Sequence, residues 1–172
     1  MKPAKGTYPL YFDNYIPLVK ETDLPLALTN NWLEIKTVIS AIPVSKDDFA
    51  YAPGKWTIKQ VLSHLIDAER IFAYRALRFA RKDPQQVLSF EENDYAANAE
   101  LSKRSVKNLL EEYEAVRKSS MYLFNNLSDS TLLLSGKMAS GETSVLALGF
   151  IICGHATHHL QVIKERYLKN NS

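Results

Sequence analysis

The chain has 172 residues, a length that suits one compact domain whose core folds without disulfide or metal staples. Its composition, 46% hydrophobic and 23% charged with six Gly and seven Pro, excludes collagen-like, low-complexity and disordered classes. Lys and Arg number 21 against 19 Asp and Glu, and a formal charge of +2 is too small to indicate a dedicated binder of nucleic acid or anionic membrane.

In chain order, residues 1–20 read as an irregular N-terminal segment packed on the helical body, within a single domain spanning 1–172. Asp13, Asn14, Pro17 and Lys20 interrupt any apolar run of signal-peptide length, so no export signal is expected. A first helix is expected from about Asp23 to Ala41, with Leu28, Trp32, Ile35 and Ile39 on one stripe and Pro43 beyond its end. After the Pro53-Gly54 break, Thr57 suits the N-cap of a second helix, Ile58 to about Lys82, stopped before Pro84. A third runs from near Ser102 to about Leu127, with Val106, Leu109, Tyr113, Val116 and Phe124 on its apolar side. The fourth runs from about Thr143 to Leu168.

Hairpin signals such as Asn-Gly between alternating runs are missing, so the reading is all-α, a four-helix bundle. Its connections at 83–101 and 128–142 exceed the about two to eight residues usual between bundle helices. The first of them suits a crossover or a loop that covers a site. The most apolar stretch, Val145 to Cys153, is shorter than the roughly 20 residues of a membrane span, so a buried helix is expected and no membrane association. One cysteine, Cys153, forbids an intrachain disulfide, and the cytoplasm is the expected location.

The four histidines are His64, His155, His158 and His159. At about 100° per residue, Leu148, Ile151, Ile152, His159 and Val162 fall within roughly 60° of His155, so His155 and His159 lie in the apolar stripe. His64 shares its stripe with Val61, Ala68, Ile71 and, roughly, Arg75. Two imidazoles at i and i+4 with one from a neighbouring helix make a facial set for a divalent ion, and three neutral nitrogens leave an open position. Such an ion lowers the pKa of water or a thiol toward neutrality. The alternative is a set of core histidines bonded to backbone carbonyls. His158, at i+3, is a rival to His159, but its stripe is polar. Cys153 points away from His155 and reads as a small apolar residue.

The run 52–78, with Gly54-Lys55-Trp56-Thr57 ahead of His64 and Asp67-Ala68-Glu69-Arg70 after it, and the run 154–168, with Gly154-His155-Ala156-Thr157-His158-His159, resemble the DinB/YfiT-like superfamily. Phe90-Glu91-Glu92-Asn93-Asp94-Tyr95, Arg104 and Arg117 extend the resemblance over about residues 8–168. It implies an up-down-down-up four-helix bundle with a long crossover between helices two and three. It also implies a divalent ion, zinc or nickel, on His64, His155 and His159. Relatives often carry an acidic residue after the first histidine of the last helix, where this chain has Ala156. The family includes metal-dependent thiol S-transferases, thiol-dependent isomerases and proteins regarded as metal-dependent hydrolases. A small-molecule substrate, a low-molecular-weight thiol and a homodimer are therefore the expected partners.

Asp67, one turn from His64, is the candidate to orient its imidazole or accept a proton, whereas Glu69 points elsewhere. Arg75 returns to the inward side, where it could receive an anionic substrate group or pair with Glu91, Glu92 or Asp94; the pairing is the expectation. Arg70, Arg75, Arg78, Arg81 and Lys82 scatter around their helix, which suits a solvated face and no nucleic-acid track. Two functions fit these residues: an enzyme in which the ion activates a small thiol or water for S-transfer or hydrolysis, or a non-catalytic metal-binding or dimerisation module.

Overall fold

The structure, a computed structural model, describes residues 1–169. Two 3-10 turns, Leu10–Asn14 and Ile16–Leu18, precede α1 (Leu24–Ser40). The chain continues through a 3-10 turn at Val44–Lys46 to α2 (Ile58–Ala80), α3 (Glu92–Asn98), α4 (Val106–Asn125) and α5 (Asp129–Leu132). A hairpin of β1 (Ser135–Met138) and β2 (Gly141–Ser144) then leads into α6 (Val145–Val162), which ends in a π-helical turn, Ile163–Leu168.

The long helices begin where a side chain can take up an orphan amide. Asp23 accepts from the Leu26 amide, and Pro25 sits in the first turn of α1, where its missing N–H costs nothing. Thr57 and Gln60 form a reciprocal capping box at the start of α2. Ser105 and Ser144 cap α4 and α6 by a single bond each, accepting from the Asn108 and Ala147 amides. Those two serines explain why α4 starts later than Ser102 and α6 later than Thr143. Past the end of α2, Lys82 takes a left-handed φ of 57° and turns the chain toward Pro84.

The all-α expectation needs one correction, because the 128–142 link contains the β1–β2 hairpin. Ser135 pairs with Ser144 and Met138 with Gly141, and Gly141 closes the turn at a φ of 131°, a conformation open to glycine. Val87 donates its amide to the Lys137 carbonyl and so ties the 83–101 link to the same hairpin. Four-residue strands of mixed polarity show too little alternation to be seen as a period of two.

α1 packs on α4 and α6, and α2 packs on the same two helices from the other side. The core falls into two buried apolar clusters: one holds Leu28 of α1 with Phe150 and Ile151 of α6, the other Ile35 and Ile39 of α1 with Leu62, Leu65 and Ile66 of α2 and Leu109 and Tyr113 of α4. A buried ion pair accompanies them. The Arg117 guanidinium donates to both Glu69 carboxylate oxygens (2.8–3.1 Å), to the Leu28 carbonyl (3.1 Å) and to Asn31 Oδ1 (2.9 Å). Asn31 Nδ2 in turn donates to the Cys153 carbonyl and Thr157 Oγ1, so all four long helices share one buried polar network.

The continuous helix Val145–Leu168 is long and apolar enough to cross a membrane by length and composition, more than Val145 to Cys153 alone suggests. It is largely buried by the other helices, as a core helix is. The N-terminal turns bury Phe12 and Ile16 and bring the Tyr15 carbonyl onto α6 at Gly154. A Cβ at Gly154 would stand 2.3 Å from that oxygen, so only glycine permits this approach. The contact sets Tyr15 beside the histidines.

Candidate metal centre

His64 lies two turns into α2, and His155 and His159 lie one turn apart on α6, the helix it packs against. Their Nε2 atoms converge. His155 Nε2 is 3.0 Å from His64 Nε2 and 3.2 Å from His159 Nε2, and the three candidate ligand atoms all lie within 4.8 Å of one another. Among the described residues, no Asp, Glu or Cys joins the group. Two nitrogens each about 2.0–2.1 Å from one ion would stand roughly 2.9 Å apart at a right angle and about 3.4 Å apart in a tetrahedron. The two spacings from His155 lie in that interval.

Hydrogen bonding alone satisfies this set poorly. A neutral imidazole presents a single donor or a single acceptor at Nε2, yet His155 Nε2 has two nitrogen neighbours. A shared cation removes the conflict, and the residues present fit one. The outer support is incomplete: His64 Nδ1 is buried without a hydrogen-bond partner, where ligating histidines usually donate to a carboxylate or carbonyl.

Asp67 does not fill that role. Its carboxylate lies 3.7 Å from Arg70 and borders a separate groove with Ser63, Tyr95 and Arg104. The 60° offset on the helical wheel was enough to turn it toward α3 and away from α6. Ala156 is buried in the apolar core. His158 stays outside the converging nitrogens, its ring edge-on to Tyr15 and His159. Arg75 is likewise not paired with Glu91, Glu92 or Asp94; its Nη2 donates to the Leu88 carbonyl at 2.7 Å.

Aromatic rings enclose the centre. Trp56 covers His64 at 4.9 Å between ring centroids, while Tyr15 and Phe72 stand 5.4 and 6.1 Å from His155. Periodicity does not mark Tyr15, which lies in the N-terminal turns; the sign of its close approach is the glycine at 154 in α6. A cavity of about 310 Å³ opens beside His64 and His155, with Phe12, Tyr15, Phe72 and Arg75 among its walls. Phe90, Glu91 and Glu92 of the long link also line it, so that link does border the site.

Burial in this apolar shell disfavours protonation of all three imidazoles. It pulls His64 down to about 4 and, with repulsion from its histidine neighbours, His159 down to about 3 and His155 well below its ordinary value. The nitrogens are thus neutral and ready to bind a cation at pH 7. In the unfolded chain the same groups titrate near 6.5. Because the folded values are depressed, stability is complete above about 6.5 and is lost as pH falls toward 4, where the unfolded chain takes up protons that the folded chain refuses. Chelator-treated protein should therefore melt roughly 10 °C lower at pH 5.5 than at pH 7.5. Equal melting temperatures would show that the imidazoles are not held neutral.

The DinB superfamily model matches residues 27–163 of the chain. No curated protein matches its sequence. Among solved structures, YfiT from Bacillus subtilis, described as a probable metal-dependent hydrolase with an unusual four-helix bundle topology, is similar with a TM-score of 0.69 at 19% identity, over 98% of this chain and 93% of that one. A mycothiol-dependent maleylpyruvate isomerase is similar with a TM-score of 0.67 at 10% identity; the match covers 80% of this chain and 58% of the isomerase. These likenesses show a shared fold. With a family match that spans both histidine-bearing helices, the chain belongs to the DinB superfamily.

Proposed function

We propose that this protein is a metal-dependent enzyme in which His64, His155 and His159 hold a divalent ion, zinc or nickel, for hydrolysis or thiol S-transfer on a small-molecule substrate. The observation that carries the reading is three converging neutral imidazoles, two of which, His64 and His155, line a cavity. Two structurally similar proteins, the probable metal-dependent hydrolase and the mycothiol-dependent isomerase, agree with it. When bound, such an ion supplies Lewis acidity and lowers the pKa of water or of a thiol toward neutrality.

The chain's own residues shape what happens around it. Phe12, Ala68 and Phe72 form an apolar wall that limits water, and an apolar wall strengthens electrostatic interactions within the cavity. Burial, aided by its bond to Tyr11 and by the charge of Glu92, pushes the Tyr15 phenol pKa up, so Tyr15 remains a hydrogen-bond donor at neutral pH. Its hydroxyl, 3.2 Å from that of Tyr11, is placed to orient a polar substrate atom.

Helix pairing supports the up-down-down-up order within a single domain. Leu24 lies against Gly149 and Glu34 binds Lys164, so numbering rises together along α1 and α6. Arg70 meets Glu112 while Leu77 and Leu123 share a groove, as parallel α2 and α4 require. Tyr167 bonds the Trp56 carbonyl whereas Phe72 faces His155, which sets α2 against α6. A homodimer and a cytoplasmic setting complete the reading, the latter in keeping with a single, buried cysteine.

Turnover of an electrophile with a panel of cellular thiols, and of ester and amide substrates, tests the reading. Activity should fall at least about 100-fold on chelation and return with one equivalent of ion. Absent turnover across the panel, or turnover indifferent to metal, would favour the non-catalytic module.

A further inference from the structure

Arg75 stands three turns beyond His64 on α2, about 16 Å along the axis and on the same face. Its side chain is 7% exposed. The structure gives its guanidinium one hydrogen bond, to the Leu88 carbonyl, and places it 5.7 Å from the centre of the Phe72 ring. Arg70, Arg78, Arg104 and Arg117 each have a carboxylate partner. Among the described residues, none stands within ion-pair distance of Arg75.

That is an unusual position for a buried cation. Removing a guanidinium from water costs several kcal/mol unless an anion compensates it, and one carbonyl engages only one of its five donors. Burial accordingly lowers the Arg75 pKa from its ordinary value. Arg75 lines the same cavity as His64 and His155. Phe72 lines the cavity with them, its ring centre 6.1 Å from that of His155 and 5.7 Å from the Arg75 guanidinium.

We propose that Arg75 anchors a carboxylate of the substrate, so that the cavity takes a small organic acid with a flat apolar body lying against Phe72 and Phe90 and its reactive atom directed to His64 and His155. A guanidinium fork matches a carboxylate edge. The Phe72 ring leaves several bonds between the acid group and the reacting centre. Glu91 and Glu92, exposed at the rim of the cavity, repel a dianion more than a monoanion, which favours a carboxylate over a phosphate ester. The direction of the reacting end rests on the metal-centre reading above; the anion subsite itself requires no ion.

Calorimetry on the chelator-treated full chain tests the subsite with phenylacetate, its neutral isostere phenylacetamide, and inorganic phosphate as probes. Phenylacetate should bind at least about 10-fold more tightly than phenylacetamide and more tightly than phosphate. Arg75→Gln should erase that preference, and Arg75→Lys should retain part of it. Equal binding of acid and amide by the wild type would overturn the proposal without need of any variant, as would tighter binding of phosphate. So would a preference that survives in folded Arg75→Gln. A carboxylate preference seen only in metal-loaded protein and kept by Arg75→Gln would place the anion on the ion, overturning the Arg75 assignment while leaving the metal centre intact. An Arg75-dependent preference in a chain that takes up no ion would support the subsite and count against the metal centre alone.

Discussion

His155→Ala is expected to abolish stoichiometric metal uptake and weaken affinity by at least about 100-fold, since loss of a partner merely supporting a ligand already costs 10- to 100-fold. His155 is the central member of the group, with hydrogen-bond spacing to both other imidazoles. Its removal leaves His64 and His159 on different helices with no nitrogen between them. His64→Ala should have a similar effect, and His158→Ala should leave uptake unchanged because its ring lies outside the set. Metal content after purification without affinity-tag metals provides the measurement. Wild-type stoichiometry in both His64→Ala and His155→Ala would place the ion elsewhere.

Arg117→Ala should be the most destabilising single change in the core, at about 3–5 kcal/mol, because it leaves the Glu69 carboxylate buried without its counter-charge. Arg117 is 0% exposed and Glu69 2%. The substitution also removes the donors that serve the Leu28 carbonyl and Asn31. For a chain of this size the loss corresponds to roughly 10 °C or more in melting temperature. Replacing both charges by leucine, Glu69→Leu with Arg117→Leu, should recover part of it, since buried ion pairs often exchange for apolar residues at little net cost. A loss below about 1 kcal/mol in Arg117→Ala would show that the network does not join the helices.

The helices were legible because their caps and stops are local. Asp23, Thr57 and Pro84 mark boundaries through chemistry that acts within one turn, and the structure places α1 and α2 within a residue or two of expectation. The histidines were legible for a related reason: i and i+4 spacing fixes two rings on one face whatever the tertiary fold. His64 required an additional step, an inward stripe on a second helix, and the packing of α2 on α6 completes it. The hairpin, the N-terminal turns and Tyr15 depend instead on contacts far apart in the chain, to which local periodicity is blind. Asp67 shows the limit of the helical wheel, because a 60° offset can face either of two neighbours and here it faces α3. Arg117 enters the sequence reading only through the resemblance, yet its position carries a readable sign of burial. It lies four residues after Tyr113 and seven before Phe124 on an apolar stripe, where a charge must find a partner.

Three imidazoles, two from α6 and one from α2, are placed to share one cation. X-ray absorption spectroscopy of protein loaded with a single equivalent of zinc reads that shell. The geometry predicts three imidazole nitrogens at about 2.0–2.1 Å and one exchangeable oxygen ligand from water. A shell with fewer imidazoles, or one containing sulfur, would contradict it.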